Sequence, residues 1–191
     1  LGEALVLTAL MGALLKDGGR QLTLQAQADD GIVSLLVCDY REGELRGYLR
    51  HDEKRFAELG TSPSLSELFA GGYLAITFDL AATGQRYQGI VPLEGASLTQ
   101  AVEQYFAQSE QVPTLIRSSV RGGLGGIIGA GLLIQHLADG EEGAERLQAR
   151  SDHPEWEHVV ALAGSITGEE LVDPDLTLEA LVWRLFHEER E

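Results

Sequence analysis

Residues 21–50 read QLTLQAQADDGIVSLLVCDYREGELRGYLR, and their hydrophobic pattern indicates the class of fold. Polar and apolar residues alternate in QLTLQAQ at the start and in ELRGYLR at the end, whereas IVSLLVCDY between them is densely apolar. Alternation with a period of two is typical of a β-strand with one buried face. Asp-Asp-Gly and Arg-Glu-Gly separate the three segments and favour tight turns. The segments therefore predict a three-stranded antiparallel meander.

Helical patterns and a second strand pair flank the meander. The apolar run that begins at Leu1 predicts a buried helix, and Gly18 and Gly19 are expected to end it. The segments YLAITFDL and RYQGIVPL predict two more strands joined through AATGQ. A Ser or Thr followed three residues later by Glu or Gln predicts a helix start. Such pairs are Ser64 with Glu67, Ser97 with Gln100, and Thr167 with Glu170.

These elements predict an α+β fold, in which helices pack against a mixed, largely antiparallel sheet. From residue 138 onward no strand pattern remains, and this part of the chain carries 15 Asp and Glu against 4 Lys and Arg. We therefore expect an α+β core domain at residues 1–137 and an all-helical linker arm at residues 138–191. Because the chain opens on Leu1 inside a helical pattern, further residues are expected ahead of it.

The composition argues against several classes of function. The formal net charge is −16 and the densest basic cluster is only Lys54 with Arg55, whereas nucleic-acid binding needs a track of Lys and Arg. No apolar run is suited to span a bilayer. Cys38 is the single cysteine, which excludes an intrachain disulfide and a structural zinc site built from this chain. Because Cys38 falls in a strand beside Asp39, its thiol is expected to have a raised pKa and to serve packing.

Residues 121–137, RGGLGGIIGAGLLIQHL, raise the question of a phosphate site. Their glycines fit neither the G-x-G-x-x-G spacing of dinucleotide-binding proteins nor a P-loop, which needs Lys and then Ser or Thr after its last glycine. We expect a flexible loop that joins two strands, TLIRSSV and GLLIQHL, because glycine adopts turn conformations at little cost. The alternative function is a small-ligand or nucleotide-binding α+β protein that uses the glycine-rich loop at residues 122–131.

The residue spacing indicates no catalytic or metal-binding constellation. His153 and Glu157 would share a helix face, but His158 points elsewhere, which favours a solvated face over a metal site. No Ser lies in a G-x-S-x-G elbow, and no pair of carboxylates is marked out to flank a cleft. We therefore expect no catalytic residue, metal ligand or cofactor in this chain, and a protein that is not an enzyme.

The last helical segment, LTLEALVWRLFHEERE, carries an apolar stripe. The stripe recurs at helical spacing and consists of Leu178, Leu181, Val182, Leu185 and Phe186. Its burial would roughly balance the entropy of ordering the arm, so we predict an arm whose release exposes apolar surface for other proteins. The simpler interpretation is an ordinary amphipathic helix that stays packed on its own domain.

Four segments carry a family resemblance. In order along the chain they are RYQGIVPLEG, YFAQSEQVPT, GLLIQHL and EELVDPDLTLEALVWRLFHEE. They resemble segments of the bacterial redox-regulated heat-shock chaperonins of about thirty-three kilodaltons. The resemblance implies a cytoplasmic, ATP-independent holdase that binds unfolding client proteins under oxidative and heat stress. It also implies self-association, since oxidised members of that family act as dimers, and no nucleic-acid or membrane partner.

The resemblance further implies a redox switch outside this chain. Members of that family carry a C-terminal zinc domain with a Cys-x-Cys and a Cys-x-x-Cys pair, and oxidation of these thiolates releases zinc and unfolds the linker. The chain stops at Glu191, about where that domain should begin, and holds none of the four cysteines. Zinc and the regulatory disulfides are therefore expected only in the full-length protein. A structural subunit of a stable hetero-complex remains a further alternative.

Overall fold

The computed structural model describes residues 1–15, 20–80, 84–123, 126–137 and 154–187. Its contacts divide the chain into two compact units, Leu1–Tyr105 and Phe106–Glu191. The sheets in both units are antiparallel and are accompanied by helices, so the predicted α+β class is confirmed. The domain boundary predicted near residue 138 lies outside the described residues and stays a prediction.

The first unit is a five-stranded antiparallel sheet with helices. Across the sheet the strands lie in the order β3 (Glu44–His51), β2 (Val33–Arg41), β1 (Arg20–Gln27), β4 (Tyr73–Leu80) and β5 (Gln85–Pro92). The predicted meander and the predicted second strand pair are therefore both confirmed. The pair joins the meander through β4, which lies beside β1. In chain order the elements are α1 (Gly2–Ala13), β1 (Arg20–Gln27), β2 (Val33–Arg41), β3 (Glu44–His51), α2 (Glu53–Ala57), α3 (Leu65–Phe69), β4 (Tyr73–Leu80), β5 (Gln85–Pro92) and α4 (Leu98–Tyr105).

The core of the first unit lies between the sheet and α1. Leu22, Leu24 and Cys38 point to this side and are fully buried, as the alternating pattern predicts. At Gly12 the helix passes so close to the sheet that an added Cβ would lie 2.3 Å from Cγ of Tyr40. The helix ends at Ala13, earlier than predicted, and the glycines expected to end it lie outside the described residues.

The predicted capping boxes begin helices, with one difference in detail. At Ser64 and at Thr167 both arms of the box form, which confirms those predictions. At Ser97 the side chain accepts from the Gln100 amide at 3.2 Å, but Oε1 of Gln100 accepts from the amide of Ala96 at 2.9 Å. The predicted helix therefore forms, and its reciprocal bond reaches one residue further back.

In its described residues the second unit combines a two-stranded sheet with three α-helices. A π-helical turn, Phe106–Glu110, is followed by β6 (Thr114–Gly123) and β7 (Gly126–Gln135), which pair as an antiparallel hairpin. The helices are α5 (Pro154–Gly164), α6 (Gly168–Leu171) and α7 (Leu178–Phe186). Every element described after residue 137 is helical, as expected for the arm. No described helix is long and apolar enough to cross a membrane.

The prediction of a glycine-rich loop is wrong for most of residues 122–131. The described glycines lie in paired strands, where Ser118 faces Gly131 and Val120 faces Gly129. An antiparallel ladder is held by backbone groups, which glycine supplies as well as any residue, and the intervening β-branched residues favour extended backbone. Only Gly126 among these described glycines has a positive φ, +116°.

Candidate functional site

A small apolar cluster joins the β6–β7 hairpin to the three helices of the second unit. The hairpin contributes the face on which Leu115 lies opposite Ile134, and the helices contribute one apolar side each. We call this set the hairpin cluster. Its buried members are Leu115, Trp156, Ala163, Ile166, Leu171 and Leu181, and its half-buried members are Ala130, Leu132, Ile134, Val159, Val160, Leu176 and Leu185.

The apolar stripe predicted on the last helix is divided between this cluster and the surface. Leu181 is only 1% exposed, and Leu185 packs against the cluster from the next turn. Leu178 and Val182 are 46% and 37% exposed, and Phe186 is half-buried. A two-stranded hairpin is narrow, since neighbouring strands lie about 5 Å apart, so it covers only part of the stripe. The role of these residues in client binding stays a prediction.

The stripe predicted from the sequence did not include one large apolar side chain of the same helix, Trp183. Trp183 lies on α7 and is 64% exposed, and its ring stacks on His187 with centroids 4.4 Å apart. Its position falls outside the heptad-like spacing on which the stripe depends, although an indole on a charged helix is itself a signal for a binding surface. Trp183 therefore belongs with the exposed residues of the candidate site.

One carboxylate ties α6 to α7. Oε2 of Glu170 accepts from the Thr167 amide at 2.9 Å, and Oε1 accepts from the Arg184 guanidinium at 2.5 Å. These interactions lower the pKa of Glu170, chiefly through the backbone hydrogen bond from Thr167 and then through Arg184. Separately, the hydroxyl of Thr177 caps α7 by accepting from the Ala180 amide at 3.1 Å. Polar contacts of this kind hold α7 in place where apolar burial is limited.

An aromatic contact holds α5 to the base of the hairpin. The imidazole of His136 and the indole of Trp156 are parallel, with ring centroids 5.7 Å apart. The His136 amide donates to the Pro113 carbonyl at 3.0 Å, which closes the hairpin at this end. Trp156 is 8% exposed, so it anchors the first helix of the arm in the hairpin cluster.

The described residues provide no evident centre for chemistry. Among them no group of three His, Cys, Asp or Glu side chains could hold a metal ion, and His153 lies outside them. A cleft of about 260 Å³ on the first unit is lined by Asp39 and five neighbours. The Asp39 carboxylate already accepts hydrogen bonds from the Thr23 hydroxyl at 2.6 Å and from Nε of Arg46 at 2.8 Å. In the described parts of residues 122–131 no loop cradles a phosphate, so the alternative ligand site has no geometric support there.

Cys38 occupies the environment that the sequence predicts. Its side chain is fully buried on β2, and burial raises the pKa of its thiol to about 11. A thiol with so little thiolate at neutral pH reacts slowly with oxidants and electrophiles. The prediction that Cys38 serves packing is consistent with this environment.

Comparison with protein-family models gives a match along almost the whole chain. The model of the family described as "Hsp33 protein" matches residues 1–190. The chain belongs to this family. A relative from Caulobacter vibrioides, named 33 kDa chaperonin, is 42% identical over 99% of this chain and 63% of its own length. Relatives with the same name from Ectopseudomonas mendocina and Photorhabdus laumondii are 38% and 35% identical, and this chain covers 59% and 60% of them.

A crystal structure in the Hsp33 family has the same fold. It is the 33 kDa chaperonin of Thermotoga maritima, which aligns with 98% of this chain at a TM-score of 0.75 and 21% sequence identity. This chain covers 61% of that protein. The chain therefore spans about three-fifths of the length of its relatives, and the resemblance noted in the sequence is confirmed at the level of the family.

Proposed function

We propose that this chain is the core and linker of a molecular chaperone that binds unfolding proteins and prevents their aggregation without ATP. The observation that carries the proposal is the match of residues 1–190 to the Hsp33 family, whose relatives here bear the name 33 kDa chaperonin. The proposed activity is binding alone, with no enzymatic step. Clients would be non-native polypeptides, because these expose the apolar segments that a folded protein buries.

The hairpin cluster supports a binding surface that can be uncovered. Of the five stripe residues only Leu181 is fully buried, so α7 is held by little apolar area and by the contact of Arg184 with Glu170. Release of the helices would expose Leu115 and the half-buried residues of the same hairpin face. Contiguous apolar surface of this kind binds other proteins.

We propose further that the full-length protein is redox-regulated, binds zinc and forms a dimer, as the family resemblance implies. Members of the resembled family carry zinc cysteines in a C-terminal domain, and we propose the same for the full-length protein. Zinc thiolates are suited to a switch because oxidation removes the metal. Cys38 offers no substitute, since its thiol is buried and its pKa is raised to about 11. We propose a cytoplasmic location on the same resemblance.

An aggregation assay tests the proposed function. A client protein that aggregates on heating is followed by light scattering with and without the purified chain, in the absence of nucleotide. We expect scattering to fall in proportion to the chain added, and added ATP to change nothing. If scattering is unchanged at several-fold excess, both for the chain as it is and for the Leu181→Ala variant with a loosened α7, the proposal is wrong.

A further inference from the structure

The exposed half of the stripe forms an apolar ridge on α7. Leu178 and Val182 are four residues apart and therefore adjacent along the helix, and Trp183 extends the exposed surface on the next residue. All three side chains are more than a third exposed. We call these three residues the α7 ridge. It is available without any release of the helices from the hairpin cluster.

Negative charge predominates in residues 154–187, the described helical segment that contains the ridge. Residues 154–187 hold seven Asp and Glu against one Arg, a formal net charge of −6 with His neutral. That single cation, Arg184, is bound by Glu170. Within the described part of the chain no cation lies in salt-bridge range of five exposed carboxylates of residues 154–187, which are Glu157, Glu169, Asp173, Asp175 and Glu179. One of them, Asp173, accepts a hydrogen bond from the Asp175 amide at 2.9 Å.

Two of these carboxylates are next to the ridge. Glu179 precedes Val182 by three residues and Trp183 by four, so it lies on the neighbouring turn of the same helix surface. Asp175 lies three residues before Leu178, in the exposed turn that leads into α7. The ridge therefore offers apolar contact with carboxylates at its border.

We propose that the α7 ridge selects unfolded segments in which Lys or Arg lies beside apolar or aromatic residues, and that it discriminates against acidic segments. The inference rests on the proposed function and specifies its class of client. Apolar contact alone is not selective, whereas complementary charge raises the association rate and like charge excludes a partner. The exposed Trp183 indole adds a surface over which a Lys or Arg cation is attracted.

The same charges argue against other occupants of the ridge. A second copy of this chain would bring an equally acidic border to the contact, and its net charge of −16 would add repulsion. Nucleic acids and anionic lipid surfaces are repelled for the same reason. A positively charged, partly apolar polypeptide is the partner that both features of the ridge favour.

A pair of matched peptides tests the selectivity. Both are unstructured, fluorescein-labelled 20-residue peptides with identical Leu, Phe and Val positions, and they differ only in carrying Lys or Glu at the remaining charged positions. Fluorescence anisotropy with the full chain is measured at low and at high salt. We expect the Lys peptide to bind about tenfold more tightly at low salt, and the ratio to fall to about twofold near 0.5 M salt, where charges are screened.

Charge variants locate the effect. The double variant Asp175→Lys with Glu179→Lys should reduce the preference to about twofold or less at low salt, and the uncharged pair Asp175→Asn with Glu179→Gln should shift it in the same direction. Glu58→Lys with Glu94→Lys changes the net charge equally at two exposed sites of the first unit and serves as the control, for which we expect the preference to be retained.

Each outcome bears on the inference separately from the proposed function. Equal loss of preference in the control variant would mean that net charge, and not the ridge, selects the client. Equal binding of the two peptides, together with suppression of aggregation, would overturn the inference and leave the proposed function intact. Failure to bind either peptide and failure to suppress aggregation would remove both.

Discussion

At the scale of single residues, Cys38 illustrates how the fold sets chemical behaviour. Its thiol is buried beneath α1, and burial raises its pKa to about 11 from an ordinary value of 9.0. The burial that suppresses the reactivity of this thiol also makes the unfolding free energy of the first unit decrease at alkaline pH. A redox role for this residue would require local unfolding first.

The pKa of Cys38 predicts a loss of stability at high pH. The unfolded chain releases this proton near pH 9 and the folded chain near pH 11, so the contribution is complete below pH 9 and is lost as the pH rises through that interval. The loss amounts to at most about 3 kcal/mol. Urea unfolding from pH 7 to pH 10.5 should show a shallower decline for Cys38→Ala than for the unchanged chain. Identical slopes would contradict the raised pKa.

Glu170 is a second residue whose environment has a measurable consequence. Its pKa is lowered by Thr167 and Arg184, so its contribution is present at neutral pH and is lost as the pH falls through that lowered value. Glu170→Gln removes the charge that binds Arg184. We expect faster hydrogen exchange in residues 168–187 and little change in the first unit.

Glu67 provides the matched control for this prediction. It forms the same capping box with Ser64, and its pKa is also lowered by that serine, but no salt bridge between Glu67 and a cation is found in the described residues. Glu67→Gln should therefore loosen α3 and leave residues 168–187 unchanged. If both variants affect the arm equally, the Glu170–Arg184 contact does not hold it.

At the scale of elements, α7 should pack less stably on the hairpin cluster when its buried residue, Leu181, is replaced by a smaller one. Leu181→Ala removes the only fully buried side chain of the helix and should cost about 2–4 kcal/mol in local stability. We expect hydrogen exchange over residues 154–187 to accelerate, binding of a hydrophobic dye to increase, and aggregation to be suppressed more strongly. Leu178→Ala, at a position 46% exposed, is the control and should change the local stability by less than about 1 kcal/mol. Equal effects of the two variants would contradict the division of the stripe.

The contact of α1 with the sheet should be disrupted by a substitution at one glycine, Gly12. Gly12→Ala would place its Cβ 2.3 Å from Cγ of Tyr40, so the helix or the Tyr40 ring must shift. We expect the first unit to lose about 2–3 kcal/mol of unfolding free energy. Gly60→Ala meets no atom within 4 Å and has no positive φ, so it should be neutral or slightly stabilising. Chemical denaturation of both variants measures the difference.

The elements that were predictable are those whose signal is local. Period-two alternation located the strands of the first unit, and side-chain capping located the starts of α3 and α6. The strands on either side of the glycine-rich residues were predicted, but their extension into residues 122–131 was missed. Glycine has a low strand propensity, and pairing across the hairpin overrides that propensity. The division of the stripe was also missed, since periodicity identifies an apolar face but not the width of the surface that covers it.

At the scale of the whole molecule, the distribution of charge is the dominant feature. The net charge is −16, and the sequence after residue 137 contributes 15 acidic against 4 basic residues. Self-repulsion of this kind opposes compact packing and is screened by salt. The helices of the second unit are therefore expected to be less stable than the five-stranded sheet of the first.

Salt should stabilise these helices selectively. Between about 20 mM and 300 mM NaCl the repulsion between carboxylates is largely screened, so we expect hydrogen exchange of residues 154–187 to slow several-fold. Exchange at residues 22–37, within the β1 and β2 region of the sheet, should change little and serves as the internal reference. Slower exchange at low salt, or equal protection of both regions under all conditions, would contradict the expected difference.

The bond between α1 and α4 has a consequence for how the protein is made. Oε1 of Glu3 accepts from the amide and the hydroxyl of Thr99 at 3.0 and 2.8 Å, so two residues 96 positions apart complete one contact. A ribosome that adds about 5–20 residues each second needs roughly 5–20 s to cover this interval. During that time the nascent α1, apolar on most sides, has only part of its surroundings. Until Thr99 has been synthesised, the apolar sides of α1 therefore lack the contact that Glu3 makes with α4.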